Sequence, residues 1–243
     1  MILAAGIGSR MGTLTSDKPK ALIRLNRIPL IEHVICHLKW VGISEIIINV
    51  HHFADQIIKF IQDKKKFDIR IEFSRENQLL DTGGGLKKAA WFFDDNKPFI
   101  LHNVDIISEI DLKNLLIEHE RLGALATLAI RNRITSRQLL FDDKMRLVGW
   151  KSSGKNYQEI IHSCGTRKVK EYAFLGVHVL SPYIFKLMPR TRKFSIISAY
   201  LQIVTNHARI FGSIQKEGFW LDVGRPENIE LAESYLKKDI RDS

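Results

Sequence analysis

The first stretch of the chain, Met1–Leu22, has the clearest potential for chemistry; it reads MILAAGIGSRMGTLTSDKPKAL. A short apolar run precedes a glycine-rich loop, Gly6–Gly12, which contains Arg10 and is followed by Lys20 in a Lys-Pro-Lys segment. Glycines let a backbone approach a ligand closely, and free backbone N–H groups bind anions. With cations on both sides of the loop, the pattern predicts a polyphosphate site, which we interpret as a site for a nucleoside triphosphate.

Other phosphate-binding loops fit this stretch less well. A P-loop requires Gly-Lys-Ser/Thr after a four-residue spacer, and that sequence is absent here. A dinucleotide fingerprint requires a third glycine after two residues and an acid at the end of the next strand. Here Gly12 follows Gly8 after three residues, and the next apolar run ends in histidines. A plain tight turn would explain the glycines but not Arg10 and Lys20 together.

The elements that must position this loop alternate between strand and helix over the first half of the chain. Apolar runs predict strands at 2–5, 45–50, 69–73, 99–102 and 124–130, and helical periodicity predicts helices at 29–41, 53–60, 85–93 and 112–122. Such alternation is typical of a parallel sheet with right-handed crossovers and helices on both faces. Because ligands bind beyond the carboxyl ends of parallel strands, polar residues that follow strands are candidate site residues.

The pattern changes after residue 130. Short strands predicted at 138–141, 147–151, 159–161 and 172–180 indicate a small antiparallel insert lying over the sheet. Helices at 182–188 and 195–205, a strand at 210–214 and a closing helix at 226–238 follow, and the last residues from 237 are charged and expected to fray. The fold class predicted from this order is α/β, with a Rossmann-like, mostly parallel sheet flanked by helices, in one domain over residues 1–243.

Composition narrows the function classes. The chain has 243 residues, is 45% hydrophobic and 26% charged, and carries a net charge of +10, which an ordinary basic surface explains and which also suits anionic small substrates. Its basic residues are scattered without interleaved aromatics, so no nucleic-acid partner is predicted. No apolar run approaches the roughly 18–20 residues that span a bilayer. Two distant cysteines, Cys36 and Cys164, indicate neither a disulfide framework nor a zinc site, and Cys36 is expected in the core. A cytoplasmic protein is predicted, with a homo-oligomer left open.

Two aspartates follow strand signals far apart in the chain. Asp105 comes after the strand predicted at 99–102, and Asp222 ends the segment Phe-Trp-Leu-Asp. Aspartates in such places often cap helices, but one or two carboxylates together with phosphate oxygens and water are also what Mg²⁺ prefers. A third polar stretch, Glu76–Gly85, reads as a turn that feeds the start of a helix.

Taken together, these stretches resemble the sugar-1-phosphate nucleotidyltransferases. The segment AAGIGSRM followed by KPK is similar to that family's L-A-G-G-x-G-T-R loop followed by P-K. ENQLLDTGGG is similar to E-x-x-x-L-G-T-A/G-G, with Asp81 in place of the usual glycine. NVD stands where the family has x-G-D, and FWLDVGRPE matches W-x-D-V/I-G-T/R-P-E. These four segments occur in family order across residues 2–227, which is nearly the whole chain.

The resemblance implies a role for each matching residue. Arg10 and Lys20 would be catalytic, and Asp105 and Asp222 would bind Mg²⁺ as the cofactor. The nucleoside triphosphate would contact Ala4, Ala5, Gly6, Gly8, Ser9, Glu76, Asp81, Thr82 and Gly83. The sugar 1-phosphate would contact Lys151 and Gly176, although an ordinary core strand explains Gly176 equally well.

The base and the sugar remain open at this stage. The segment DTGGG and the strand FLGVHVLSP resemble the muramate uridylyltransferases of cell-wall recycling, and also short mannose-1-phosphate guanylyltransferases. We expect uridylyl transfer, with guanylyl transfer as the alternative. A nucleotide-sugar-binding regulatory module without activity, or a glycosyltransferase, would be different classes. The four charged residues argue against the first, and the lack of a D-x-D motif at residues 103–105 argues against the second.

Overall fold

The computed structural model describes residues 1–152, 157–160, 169–205 and 209–239, so Ile161, Cys164 and residues 240–243 lie outside the described part. The α-helices in this described part are α1 Leu30–Trp40, α2 Ala54–Asp63, α3 Asp81–Lys88, α4 Leu112–Leu122, α5 Ile196–Val204 and α6 Glu227–Asp239. The strands in the described residues are β1 Ile2–Leu3, β2 Arg24–Leu25, β3 Ile28–Pro29, β4 Glu45–Val50, β5 Arg70–Arg75, β6 Phe99–Asn103, β7 Ile106–Ser108, β8 Ala126–Arg131, β9 Arg137–Phe141, β10 Leu147–Ser152, β11 Tyr157–Ile160, β12 Lys170–Leu180, β13 Ile210–Ile214 and β14 Trp220–Asp222.

The chain divides into two compact units. The first unit comprises Met1–Leu79, His102–Glu109 and Phe219–Ser243, and the second comprises Leu80–Leu101 and Ile110–Gly218. The prediction of one domain over residues 1–243 remains a prediction beside this division.

The first unit contains the parallel sheet that the alternating pattern predicts. Strand β1 lies between β4 and β6 and is parallel to both, and β5 pairs parallel with β4. Four of the six residues of β4 are isoleucine or valine, and all four are completely buried, as expected for a strand covered on both faces. Helices α1 and α2 provide the crossovers. After α2 the backbone turns through four consecutive residues with positive φ, from Lys65 to Asp68.

The second unit contains most of the antiparallel strands. Strand β12 pairs antiparallel with β8 and β9, and β10 pairs antiparallel with β9 and β11, while β13 runs parallel to β8. The segment that follows β13 is held by the Arg131 guanidinium, which donates to the carbonyls of Gln215, Glu217 and Gly218 at 2.7–3.0 Å. The predicted fold class, a mostly parallel α/β sheet with helices and antiparallel strands, is confirmed.

A buried histidine in the second unit has its tautomer set by its neighbours. The Ser181 hydroxyl donates to the carbonyl of Ala124 at 2.8 Å, so it accepts from His119 Nε2 at 3.0 Å. His119 Nδ1 is then unprotonated and accepts from the Thr127 hydroxyl at 3.0 Å. Burial of this side chain, which is 1% exposed, lowers its pKa to about 4.

Three local expectations were wrong. The helix predicted at 182–188 is a short 3₁₀ turn, Pro182–Lys186, and the Ser181 hydroxyl before it donates to the Ala124 carbonyl and does not cap it. Helix α3 begins at Asp81 and ends at Lys88, whereas 85–93 was predicted. Cys36 is exposed, on the outer side of α1, although a core position was expected. Among the described residues, no helix has the length and apolar character needed to cross a membrane.

Candidate active site

The glycine-rich loop follows β1 directly and is anchored by one apolar side chain. Met11 is 1% exposed and belongs to a buried cluster of the first unit. Its N–H donates to the Gly8 carbonyl at 2.8 Å, and the φ of Gly8 is +73°, which favours glycine. Between these anchors and the buried Ala5, the backbone at Gly6 is exposed, and a Cβ at Gly6 would meet no atom within 4 Å. The loop therefore presents its backbone to solvent, as a phosphate cradle requires.

The two aspartates predicted to bind metal are brought together by a two-stranded antiparallel ribbon. In this ribbon β7 pairs with β14, and Ile106 lies opposite Asp222. The residue before Ile106 is Asp105, whose carbonyl accepts from Val223 N–H at 2.8 Å. The ribbon thus joins residues that are more than 100 positions apart in the chain. Asp222 ends a strand as predicted, but that strand belongs to this ribbon and not to the parallel sheet.

Arg10 and Lys20 lie close to the same two aspartates. A Cβ built on Gly224 would lie 2.6 Å from Asp222 Oδ1, 2.8 Å from an Arg10 guanidinium nitrogen and 3.1 Å from Lys20 Nζ. The Lys20 ammonium also donates to the Asp105 carboxylate. All four charged side chains that the sequence singled out for catalysis and metal binding therefore meet beside Gly224.

Electrostatics at this cluster reflect two carboxylates held close together. Burial, and next the negative charge of Asp105, raise the pKa of Asp222, while Lys20 and Arg10 act in the opposite direction. Asp222 Oδ1 also accepts the Gly224 N–H at 2.7 Å. Two neighbouring carboxylates repel each other, and a divalent cation placed between them would relieve that repulsion.

Two neighbouring carboxylates are a donor set that Mg²⁺ accepts. No cluster of three or more His, Cys, Asp or Glu side chains that could hold a metal exists in the described part of the chain. A pair of carboxylates is nevertheless sufficient for Mg²⁺, which usually retains waters and takes its other ligands from substrate phosphates. Asp105 and Asp222 are therefore the residues that would hold the ion.

A buried amide, which the sequence pattern did not single out, connects Ala4, just after β1, to Glu76. Asn49, at 3% exposure, accepts the Ala4 N–H at 2.7 Å through Oδ1 and donates through Nδ2 to Glu76 Oε1 at 2.7 Å. His51 Nδ1 lies 2.8 Å from the Glu76 carbonyl. An asparagine near the carboxyl end of an otherwise apolar strand was the available signal. Asn49 fixes two residues that were predicted to contact nucleotide.

Of the segment predicted to contact the nucleobase, residues 80–85 lie in the second unit, and several of them have structural roles there. Gly83 N–H donates to the carbonyl of Phe194 at 3.0 Å, and a Cβ at Gly83 would lie 2.5 Å from the Phe194 ring. The Thr82 hydroxyl accepts the Ile196 N–H at 2.9 Å at the start of α5. Close packing of the 192–194 loop on α3 thus explains this glycine, and its contact with nucleotide remains a prediction.

Asp81 occupies a backbone position that suits the glycine found in the resembling family. Its φ is +62°, and its Oδ1 accepts the N–H of Thr82 at 2.7 Å. Left-handed backbone of this kind costs least for glycine, and among other residues Asn and Asp adopt it most readily. Asp81 can therefore adopt the left-handed backbone that a glycine would adopt at this position, and its carboxylate is exposed.

The two sugar-phosphate candidates also lie in the second unit. Lys151 Nζ is 2.7 Å from Glu171 Oε1, and both side chains are about one-third exposed. Gly176 has a φ of +78° within β12, where the pairing with β8 shifts register between Phe174 and His178. A β-bulge of this kind accounts for a glycine, so the predicted sugar contacts rest on the sequence alone.

Comparison with known proteins identifies the family. The model of the nucleotidyl transferase family matches residues 1–138. The N-acetylmuramate α-1-phosphate uridylyltransferase of Caulobacter vibrioides is 29% identical, covering 97% of this chain and 96% of the relative. The mannose-1-phosphate guanyltransferase of Saccharomyces cerevisiae is 27% identical over 94% of this chain, which spans 62% of that protein's length.

Solved structures agree on the fold. HddC from Yersinia pseudotuberculosis superimposes with a TM-score of 0.78 at 22% identity, covering 97% of both chains. A UDP-glucose pyrophosphorylase superimposes with a TM-score of 0.76 at 18% identity, covering 98% of each chain. The family match covers more than half of the chain and includes the glycine-rich loop, Lys20 and Asp105. The chain belongs to the nucleotidyl transferase family.

Proposed function

We propose that this member of the family joins a sugar 1-phosphate to a nucleoside triphosphate, giving a nucleotide sugar and pyrophosphate. The observation that carries the proposal is the convergence of Arg10, Lys20, Asp105 and Asp222 beside Gly224. Two cations next to an exposed glycine loop suit a triphosphate, and two carboxylates suit the Mg²⁺ that accompanies it.

The chain's residues would act by positioning and by charge neutralisation. The attacking sugar phosphate is already ionised at neutral pH, so no general base is required. The glycine-rich loop and Arg10 would hold the β- and γ-phosphates, and Lys20 would stabilise negative charge around the α-phosphate. Asp105 and Asp222 would hold Mg²⁺, which when bound supplies a positive charge that polarises phosphoryl oxygens.

Uridylyl transfer is the favoured reaction. It is supported by the uridylyltransferase relative, which matches this chain over nearly its whole length. Guanylyl transfer is the second candidate, since the guanyltransferase relatives have a similar identity but are longer proteins. Nucleobase choice is assigned to the segment around Asp81, and sugar choice to the neighbourhood of Gly176 and Lys151. Cell-wall recycling and a cytoplasmic location are consistent with the uridylyl proposal.

A pyrophosphate-release screen tests the proposal. UTP, GTP, dTTP, ATP and CTP would each be combined with a panel of sugar 1-phosphates, including those of N-acetylmuramate, mannose and glucose. We expect the fastest release with UTP. Release with no pair, but tight binding of a nucleotide sugar, would favour a regulatory binding module instead.

One variant ties the expected activity to the proposed metal site. Asp222→Asn removes one charge with little change of shape and should lower kcat by roughly 10²–10³-fold, the usual cost of one electrostatic contact in a transition state. The exposed Asp17→Asn is the matched control, because it makes the same charge change outside the cluster. Near-normal release by folded Asp222→Asn protein would contradict the assignment.

A further inference from the structure

Lys20 has an ion-pair partner within the cluster already. Its ammonium donates to Oδ2 of Asp105, and the two side chains are only 9% and 19% exposed. The lysine is the first residue of a short 3₁₀ turn, Lys20–Leu22, in which Ile23 N–H donates to the Lys20 carbonyl at 3.0 Å. A pair so shielded from water interacts more strongly than an exposed one. In this structure Lys20 therefore neutralises the Asp105 carboxylate, which the proposed function assigns to Mg²⁺ as a ligand.

The same carboxylate cannot serve both cations fully. A divalent ion on Asp105 would stand beside the Lys20 ammonium, and the two positive charges would repel each other at low exposure to solvent. Arg10 is a second cation at the same place, close to the position that a Cβ of Gly224 would take. Entry of a free metal ion would thus require Lys20 to give up its partner with no anion offered in exchange.

A triphosphate changes this balance because it brings several negative charges to the loop beside Lys20. We propose that Lys20 is a resident counter-ion of Asp105, which disfavours metal binding to the nucleotide-free protein and releases the carboxylate when a triphosphate takes over the ammonium. The inference rests on the proposed function for the identity of the metal ligands. It makes Lys20 a residue that sets the order of binding, in addition to its proposed contact with the α-phosphate.

The test measures metal binding directly, without turnover. Mn²⁺ replaces Mg²⁺ as the probe, and its free concentration is read from its electron paramagnetic resonance signal in titrations of nucleotide-free protein. If the ion pair is formed in about nine protein molecules in ten, only the remaining tenth can bind Mn²⁺ through Asp105. Wild-type protein should then bind Mn²⁺ about tenfold more weakly than Lys20→Met. Lys20→Arg retains a cation and should remain within about twofold of wild type.

Lys18→Met is the matched control. It makes the same substitution two residues away, on a side chain that forms no ion pair within the described part of the chain. It should bind Mn²⁺ as wild type does. If Lys20→Met does not fold, Lys20→Gln takes its place, because a neutral amide can still donate to Asp105.

The outcomes separate this inference from the proposed function. Mn²⁺ binding by the Lys20 variant that is no tighter than wild type, or equal tightening by Lys18→Met, overturns the counter-ion role. Pyrophosphate release by wild-type protein is scored independently in the substrate screen. Active wild type with unchanged Mn²⁺ affinity in Lys20→Met would reject only the counter-ion role, while tighter binding without any release would reject only the proposed function.

Discussion

Gly224 offers the sharpest test of whether the charged residues work as a unit. Replacement by alanine adds one methyl group. The backbone of Gly224 is not left-handed, so alanine can adopt it without backbone strain. The new Cβ would lie 2.6 Å from Asp222 Oδ1 and 2.8 Å from the Arg10 guanidinium. Both distances are shorter than any Cβ contact that folded proteins tolerate, so these side chains must move.

The size of the movement gives the expected effect. To restore an ordinary contact of about 3.4 Å, the Asp222 oxygen must retreat by about 0.8 Å and the Arg10 nitrogen by about 0.6 Å. Misplacement by about 1 Å costs roughly 10²-fold in rate, which corresponds to about 2.7 kcal/mol of transition-state stabilisation. The end of the Arg10 side chain is flexible and can move at little energetic cost. The free energy of unfolding should therefore stay within about 1 kcal/mol of wild type.

The assay compares kcat/KM for pyrophosphate release with urea unfolding of the same preparations. We expect Gly224→Ala to lose about 10²-fold in kcat/KM at nearly unchanged stability. The neighbour Arg225→Ala serves as the control, since its side chain is exposed and pairs with Glu227 at 3.6 Å. If Gly224→Ala stays within threefold of wild type, the inferred dependence of catalysis on this arrangement is wrong.

Three further predictions concern stability, each measured by urea unfolding. The pKa of His119 falls from 6.5 to about 4 in the fold, so the folded protein takes up this proton less readily than the unfolded chain. The neutral histidine therefore contributes fully to the free energy of unfolding above pH 6.5, and this contribution is lost as the pH drops toward 4. His119→Gln should flatten the pH dependence over that window by about 3 kcal/mol, and an unchanged slope would contradict the network. Arg131→Lys, which cannot reach all three carbonyls of the 215–218 segment, should cost about 2 kcal/mol, and no loss would show that this fork is dispensable. Lys65→Gly relieves a φ of +49° and should stabilise by about 0.5–1 kcal/mol, whereas Lys59→Gly within α2 should destabilise by about 1 kcal/mol; the same sign for both would refute the strain argument.

Elements that depend on local pattern were predicted closely. Strand β4 and helix α4 have the predicted bounds, because an apolar β-branched run and a 3.6-residue periodicity are properties of neighbouring residues. Helix α4 also begins with Asp111 accepting the Asn114 N–H and ends at Gly123 with a φ of +52°, which are local signals. By contrast, the Ser181 hydroxyl before the 3₁₀ turn bonds to His119, which is 62 residues away, and local sequence does not encode such a partner.

The sequence by itself determined the family resemblance, the α/β class and the types of the charged residues. A glycine loop, its cations and strand-terminal aspartates can each be recognised within one short segment. Only the tertiary structure decided how these segments meet. The register of β7 with β14 places Asp222 beside Asp105, the bare Cα of Gly224 leaves room for Arg10 and Lys20, and Asn49 ties Ala4 to Glu76. Those relations depend on strand pairing and packing between residues far apart in the chain, which periodicity and local backbone preference do not encode.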